Sequence, residues 1–183
     1  KSSDPNVTND ALYTNTTLAI DANTGEIKWY HQHLPTYGLD LDYVYERVLI
    51  DLPVNGVMRK QVVTTGKIGI IESIDRTNGE WLWNKETVRQ NVVLSWDEKT
   101  GKKTINPDTF PVAGETTVNC PADPGAHAWQ PAGYSPLTKA MYVPTVEFCS
   151  NTTVKTLDPG EIYTGGGMQT YSRVEHPDGD SNI

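Results

Sequence analysis

Several things are scarce in this 183-residue chain, and each scarcity excludes something. No run of 18 apolar residues occurs, so no transmembrane segment is expected. Basic residues are outnumbered, with 15 Lys and Arg against 23 Asp and Glu and a formal charge of -8. That balance argues against nucleic acid or an anionic membrane as partner. There are 2 cysteines, too few for a disulfide framework. P-loop, Rossmann, HExxH and GxSxG patterns are all missing, which removes the commonest nucleotide and hydrolase readings. No signal-peptide pattern opens the chain at "KSSDPNVTND", as expected of a mature or cut N terminus. Strong helical periodicity is missing too. Only "NKETVRQNVV" (84–93) offers a turn or two, and its Val and Asn residues weaken it.

What is present reads as β-structure. The chain has 5 Trp and 9 Tyr against 2 Phe, an amphipathic aromatic set able to build a core. "TTLAIDANTGEIKWYHQ" reads as strand, turn, strand, with Gly25 free to take the positive φ that closes the turn. "IGIIESIDRTNGEWLWNKE" repeats it 54 positions on, carrying Asp21, Gly25 and Trp29 onto Asp75, Gly79 and Trp83. "SWDEKTGKKT" is a weaker third copy, with Asp97 and Gly101. Such hairpin units cannot bury their own faces, so neighbours must stack. Radial stacking gives a propeller; a sandwich with similar turns is the competing arrangement. Residues 106–125 read as loop, 135–138 as a turn, 140–143 as a strand, and 158–183 as a long loop, with a flexible tail over 168–183.

The candidate chemistry is sparse. In "GLDLDYVYERV", Asp40 and Asp42 stand two apart, so on extended backbone they share a face. Paired carboxylates give a general base, a hard-cation site or a solvated loop. Glu46 follows in the same segment. Lys67, in "TTGKIGII", reads either as a surface lysine or as a cation for a carboxylate or quinone oxygen. His31, His33 and His127, with Cys120, invite a zinc reading, but "HQH" is no zinc signature. Cys120 and Cys149 leave two readings open, a disulfide worth about 3–4 kcal/mol in the chain-entropy account or two buried thiols. Sequons stand at Asn6, Asn15 and Asn151.

The stretch "LYTNTTLAIDANTGEIKWYHQHLPTYGLDLDYVYERVLIDL" closely resembles the quinoprotein alcohol and methanol dehydrogenases, which use pyrroloquinoline quinone (PQQ). The Asp21–Trp29 segment has their "DxxTGxxxW" docking motif, and Asp75 to Trp83 is a variant; "NCPADPGAHAWQPAGYSP" and "YTGGG" resemble later blades. The resemblance covers most of residues 10–167. It implies an all-β fold, a partial eight-bladed β-propeller with three to four blades present, over a single domain, 1–183. It implies that docking Trp side chains lock the blades together, and that Cys120 and Cys149 form the family's late disulfide.

By position, the resemblance makes Asp40 the catalytic base and a metal ligand, and Asp42 the additional metal carboxylate of lanthanide-dependent members. Lys67 falls where the family contacts the quinone oxygens. The implied activity is oxidation of a primary alcohol to an aldehyde by PQQ with a calcium or lanthanide ion. Electrons would pass to a cytochrome c-type acceptor. The implied location is periplasmic or secreted. Leu39, Tyr43, Tyr45 and Ala128 depart from the family's Trp, Gly, Asn and Asn. The family's metal-binding Glu and Asn and its stacking Trp belong to blades before Lys1. The remaining propeller blades are therefore expected partners, and this chain alone is expected to be inactive. The alternative is a non-catalytic propeller fragment or structural subunit.

Overall fold

The computed structural model describes residues 10–36, 40–156, 158–162 and 169–174. Thirteen strands follow one another without an α-helix among the described residues. They are β1 Thr16–Ile20, β2 Ile27–Gln32, β3 Val48–Val54, β4 Val57–Thr64, β5 Ile70–Asp75, β6 Trp81–Glu86 and β7 Val93–Trp96. Then come β8 Lys103–Ile105, β9 Thr116–Asn119, β10 Gly133–Ser135, β11 Ala140–Tyr142, β12 Cys149–Val154 and β13 Gln169–Val174. Every ladder is antiparallel. One sheet is a complete four-stranded meander, β3-β4-β5-β6; the others are β1-β2, β7-β8, β10-β11 and β13-β12-β9. The chain is a partial β-propeller, one whole blade flanked by parts of others.

Local sequence explains the whole blade. Asn55 and Gly56 take φ of 50° and 79°, the left-handed pair of a two-residue hairpin, and so fix the β3–β4 register. Pro53 sits in β3, an edge strand, where its missing N–H is tolerated. The inner strand β5 is buried almost throughout and β4 over its second half, Gln61 to Thr64, while β3 alternates between outward and inward positions.

The three Asp turns have one construction. In each, the glycine N–H donates to the Asp carbonyl at 2.8 Å: Gly25 to Asp21, Gly79 to Asp75, Gly101 to Asp97. The Asp carboxylate accepts backbone N–H groups of the turn. These turns are also docking surfaces. A Cβ at Gly79 would lie 2.9 Å from Trp29, whose indole N–H donates to the Arg76 carbonyl at 3.2 Å. The Trp29 indole thus lies on the glycine of the following turn.

The second dock corrects the expectation from the repeat. The indole against Gly101 is that of Trp81, 2.2 Å from where a Cβ would stand. Trp83, the registered equivalent of Trp29, instead donates to Gln61 Oε1 at 3.1 Å in its own sheet. Trp81 stands where the first turn has Ile27, and it takes the contact that Trp83 leaves.

Two loop readings are also corrected. Residues 116–119, within the supposed 106–125 loop, form β9, and residues 169–174 form β13; both pair with β12, which satisfies their backbone groups. Residues 84–93 form no helix. Between the sheets lies a core of Leu34, Leu41, Tyr43, Ile68, Ile70, Val92 and Val93, with Trp96 and Ile105 against it.

Gly101→Ala tests the docking. The new methyl meets both a positive φ of 69° and the Trp81 ring. Gly25, at φ 75°, faces open space. Urea denaturation should show a loss of about 2–4 kcal/mol for Gly101→Ala and about 1 kcal/mol for Gly25→Ala. Equal losses would show that the Trp81 contact contributes nothing.

Candidate active site

Asp40 and Asp42 lie on the irregular segment that enters the blade, and Lys67 lies on the turn between β4 and β5. Lys67 is buried, and its ammonium reaches out to both carboxylates. Lys67 Nζ is 2.8 Å from Asp40 Oδ2 and 3.6 Å from Asp42 Oδ2, and it donates to the Asp40 carbonyl at 2.8 Å. The carboxylates are 60% and 41% exposed, so the cation is inside and the anions face outward. The sequence left Lys67 between a surface lysine and a cation for a carboxylate or quinone oxygen; in the fold it is buried and meets two carboxylates.

Backbone contacts hold this arrangement. Lys67 N–H donates to the Asp42 carbonyl at 3.0 Å, and Ala126 N–H donates to the Lys67 carbonyl at 2.7 Å. Two glycines permit the close approach. A Cβ at Gly66 would lie 2.6 Å from the Asp42 carbonyl oxygen, and one at Gly125 would lie 2.4 Å from Lys67 Cγ. The Cys120–Cys149 disulfide is formed and ties β12 to the segment that carries Gly125. Ala122 N–H donates to the Phe148 carbonyl at 2.9 Å beside it.

The two carboxylates are electrostatically unequal. Burial opposes ionisation of both. Hydrogen bonds from Asp42 and Lys67 nevertheless bring Asp40 below the usual carboxylate range. Burial and the Asp40 charge push Asp42 above it. Asp40 is therefore the readier anion and Asp42 the group that holds a proton longer, the division expected of like charges sharing a site. A cation between them would relieve that repulsion, and oxygen donors suit a hard ion.

Comparison with known proteins then decides the family. Residues 6–95 match the profile described as "PQQ: Glucose/ethanol/alcohol dehydrogenase, beta-propeller domain". The chain belongs to the PQQ β-propeller family. It is 34% identical over 137 residues to the quinohemoprotein alcohol dehydrogenase ADH-IIG of Pseudomonas putida, covering 74% of this chain and 19% of that protein. It is 30% identical over 155 residues to the lupanine 17-hydroxylase [cytochrome c] of a Pseudomonas species, covering 84% of this chain and 22% of that protein. Among solved structures, a europium-containing methanol dehydrogenase superposes with TM-score 0.76 at 27% identity, covering 88% of this chain and 28% of that one. The chain spans about a fifth of the length of the curated relatives it matches.

In this PQQ-family chain, other predicted residues fall elsewhere. Leu39 and the "YTGGG" glycines lie outside the described residues. His127, buried, has Nδ1 3.0 Å from the Pro144 carbonyl and packs edge-on to Tyr45. Cys120 is engaged in the disulfide and offers no thiolate to a metal alongside the histidines. Tyr45, noted in the sequence only as a departure, stands within the field of Lys67 and both aspartates. Burial raises its phenol, Lys67 pulls it down, and the aspartates push it up.

The larger omission is a buried cluster around Glu72. Its Oε1 is 3.0 Å from His33 Nδ1 and 2.7 Å from Lys103 Nζ, and its Oε2 is 3.0 Å from His31 Nε2. Burial works against the Glu72 anion, but the Lys103 charge and both histidines hold it well below the carboxylate range. His31, His33 and Glu72 offer metal-ligand atoms within 4.8 Å of one another, but Lys103 already supplies the positive charge. The signal available in the sequence was Glu72 inside the apolar run "IGIIESID", a carboxylate that requires a partner once buried.

His33 carries a pH prediction. Burial lowers it from 6.5 to about 4, against the opposing pull of Glu72. The unfolded chain therefore binds the extra proton first as pH falls, and stability falls with it between about 6.5 and 4. Glu72, depressed, adds to the loss below its ordinary value. Unfolding free energies from urea titrations across this range should fall with a slope of up to about 1.4 kcal/mol per pH unit from His33, and His33→Gln should flatten that slope. An unchanged slope in His33→Gln would contradict this assignment.

Proposed function

We propose that this chain is part of a PQQ-dependent alcohol dehydrogenase that oxidises a primary alcohol to an aldehyde and passes electrons to a cytochrome-type acceptor. The observation that carries the reading is the buried Lys67 ammonium aimed at two outward-facing carboxylates. Support comes from the family match and from relatives described as alcohol dehydrogenases and a "1-butanol dehydrogenase (cytochrome c)". The residues fit the cofactor: Asp40 and Asp42 offer hard oxygen donors for calcium or a lanthanide, and Lys67 offers a donor for quinone oxygens. When bound, metal and PQQ supply Lewis acidity and a two-electron acceptor.

Asp40, the readier anion, accepts the substrate hydroxyl proton. Asp42 adds negative charge for the cation and becomes an asset only when that cation is present. Lys67 positions Asp40 and, being buried, presents its charge with little solvent screening. The disulfide accords with a periplasmic location, which we propose on that ground. The remaining blades complete the site. One observation favours the non-catalytic reading: Lys67 already neutralises Asp40 in a closed pair.

Kinetics of the intact protein separate the two. With PQQ and calcium or lanthanum supplied, Asp40→Asn should lower kcat by about 10²- to 10⁴-fold. Asp42→Ala should impair the lanthanum-loaded enzyme far more than the calcium-loaded one. Full activity in Asp40→Asn would overturn the assignment, and so would an intact protein that oxidises no alcohol with either metal.

A further inference from the structure

Tyr43 lies immediately after Asp42, yet is 1% exposed while Val44 beyond it is 70% exposed. Its ring stacks on the His33 imidazole, with centroids 4.6 Å apart and planes 7° from parallel. On another side the ring covers Gly66, where a Cβ would be 2.6 Å away. Its hydroxyl donates to the Ile70 carbonyl at 3.1 Å. Its own N–H donates to Asn15 Oδ1 at 3.0 Å, and its carbonyl accepts from Arg47 Nη2 at 2.6 Å.

His33 is itself immobilised. Nδ1 meets Glu72 Oε1 at 3.0 Å, and Nε2 meets the Thr17 hydroxyl at 2.7 Å. Glu72 is anchored in turn by Lys103 and His31. These residues come from β1, β2, β5 and β8, so three sheets converge on the Glu72–His33 pair. The residue on either side of the Tyr43 contact belongs to the candidate site: Asp42 precedes Tyr43, and Lys67 follows Gly66.

We infer that Tyr43, clamped by His33, is a positioning residue that seats the Asp42 segment on the Lys67 turn. The inference rests on the functional reading above for its catalytic meaning, but its structural part stands alone. A ring locked between a fixed imidazole and a glycine removes the freedom of the Asp42 backbone. The Lys67 N–H to Asp42 carbonyl bond then forms in one register, and the ammonium meets the carboxylates. Neither Tyr43 nor His33 needs to touch substrate or cofactor.

The test compares Tyr43→Leu, which removes the stack, with Tyr43→Phe, which keeps it, in the intact protein. Amide hydrogen exchange at Lys67 reads the seat directly, and terbium luminescence titration reads the cation site with Tb³⁺ alone. Tyr43→Leu should accelerate Lys67 exchange at least tenfold, with Val62 and Ile74 unchanged, and weaken Tb³⁺ binding by a similar factor. Tyr43→Phe should stay within twofold on both. His33→Gln repeats the loss without opening the core beside Ile70. Gly25→Ala, which strains a turn facing open space away from the stack, should lower the melting temperature but alter neither readout. Unchanged Lys67 exchange in folded Tyr43→Leu or His33→Gln would overturn the inference. A Phe variant as impaired as the Leu variant would also overturn it, transferring the role to the hydroxyl. Wild-type protein that binds no Tb³⁺ would count against the metal reading alone, because the exchange result still decides the seat.

Discussion

A buried ammonium needs compensation, and Lys67 is the buried ammonium around which this end of the molecule is organised. Its charge is met by Asp40 and Asp42 at the surface, and its backbone is held from both sides by Asp42 and Ala126. Removing its partners would leave a desolvated cation, which is among the more costly defects a core can carry. The two glycines beside it are a consequence, since any side chain at Gly66 or Gly125 would displace the loops that close over it. The disulfide fixes the outer of those loops. The site is thus assembled from long-range contacts.

The same logic recurs one layer deeper. Glu72 sits in a buried strand and gathers His31, His33 and Lys103 from neighbouring sheets. This cluster and the Trp docks divide the labour of holding the sheets together. The docks use indoles on glycine turns at the rim, where shape excludes any side chain. The cluster uses charge and hydrogen bonds in the interior, where a proton added to His33 disturbs the balance. Tyr43 connects the two charged centres by packing, since its ring touches His33 and its chain neighbour is Asp42.

The sequence made the strands and turns legible because their determinants are local. An Asp–Gly spacing of four residues marked three turns; the Asn55-Gly56 hairpin, equally local, emerged only with the fold. The Asp40–Asp42 pair stood out because charge interrupted an apolar run. What remained hidden depends on distant partners. Nothing near Trp81 and Trp83 tells which will reach the next turn; the Gln61 hydrogen bond does. Nothing near Lys67 says that it is buried, because Gly125 arrives from 58 positions away. β9 and β13 were read as loop because their polar residues earn strand geometry only by pairing with β12.

The most direct measurement is anomalous diffraction from crystals of the intact protein grown with PQQ and a lanthanide. The account predicts a cation peak within about 2.3–2.6 Å of Asp40 and Asp42 carboxylate oxygens, with the quinone beside Lys67. An ordered cation and quinone bound away from all three residues, or a closed Lys67–Asp40 pair with neither at saturating concentrations, would contradict it.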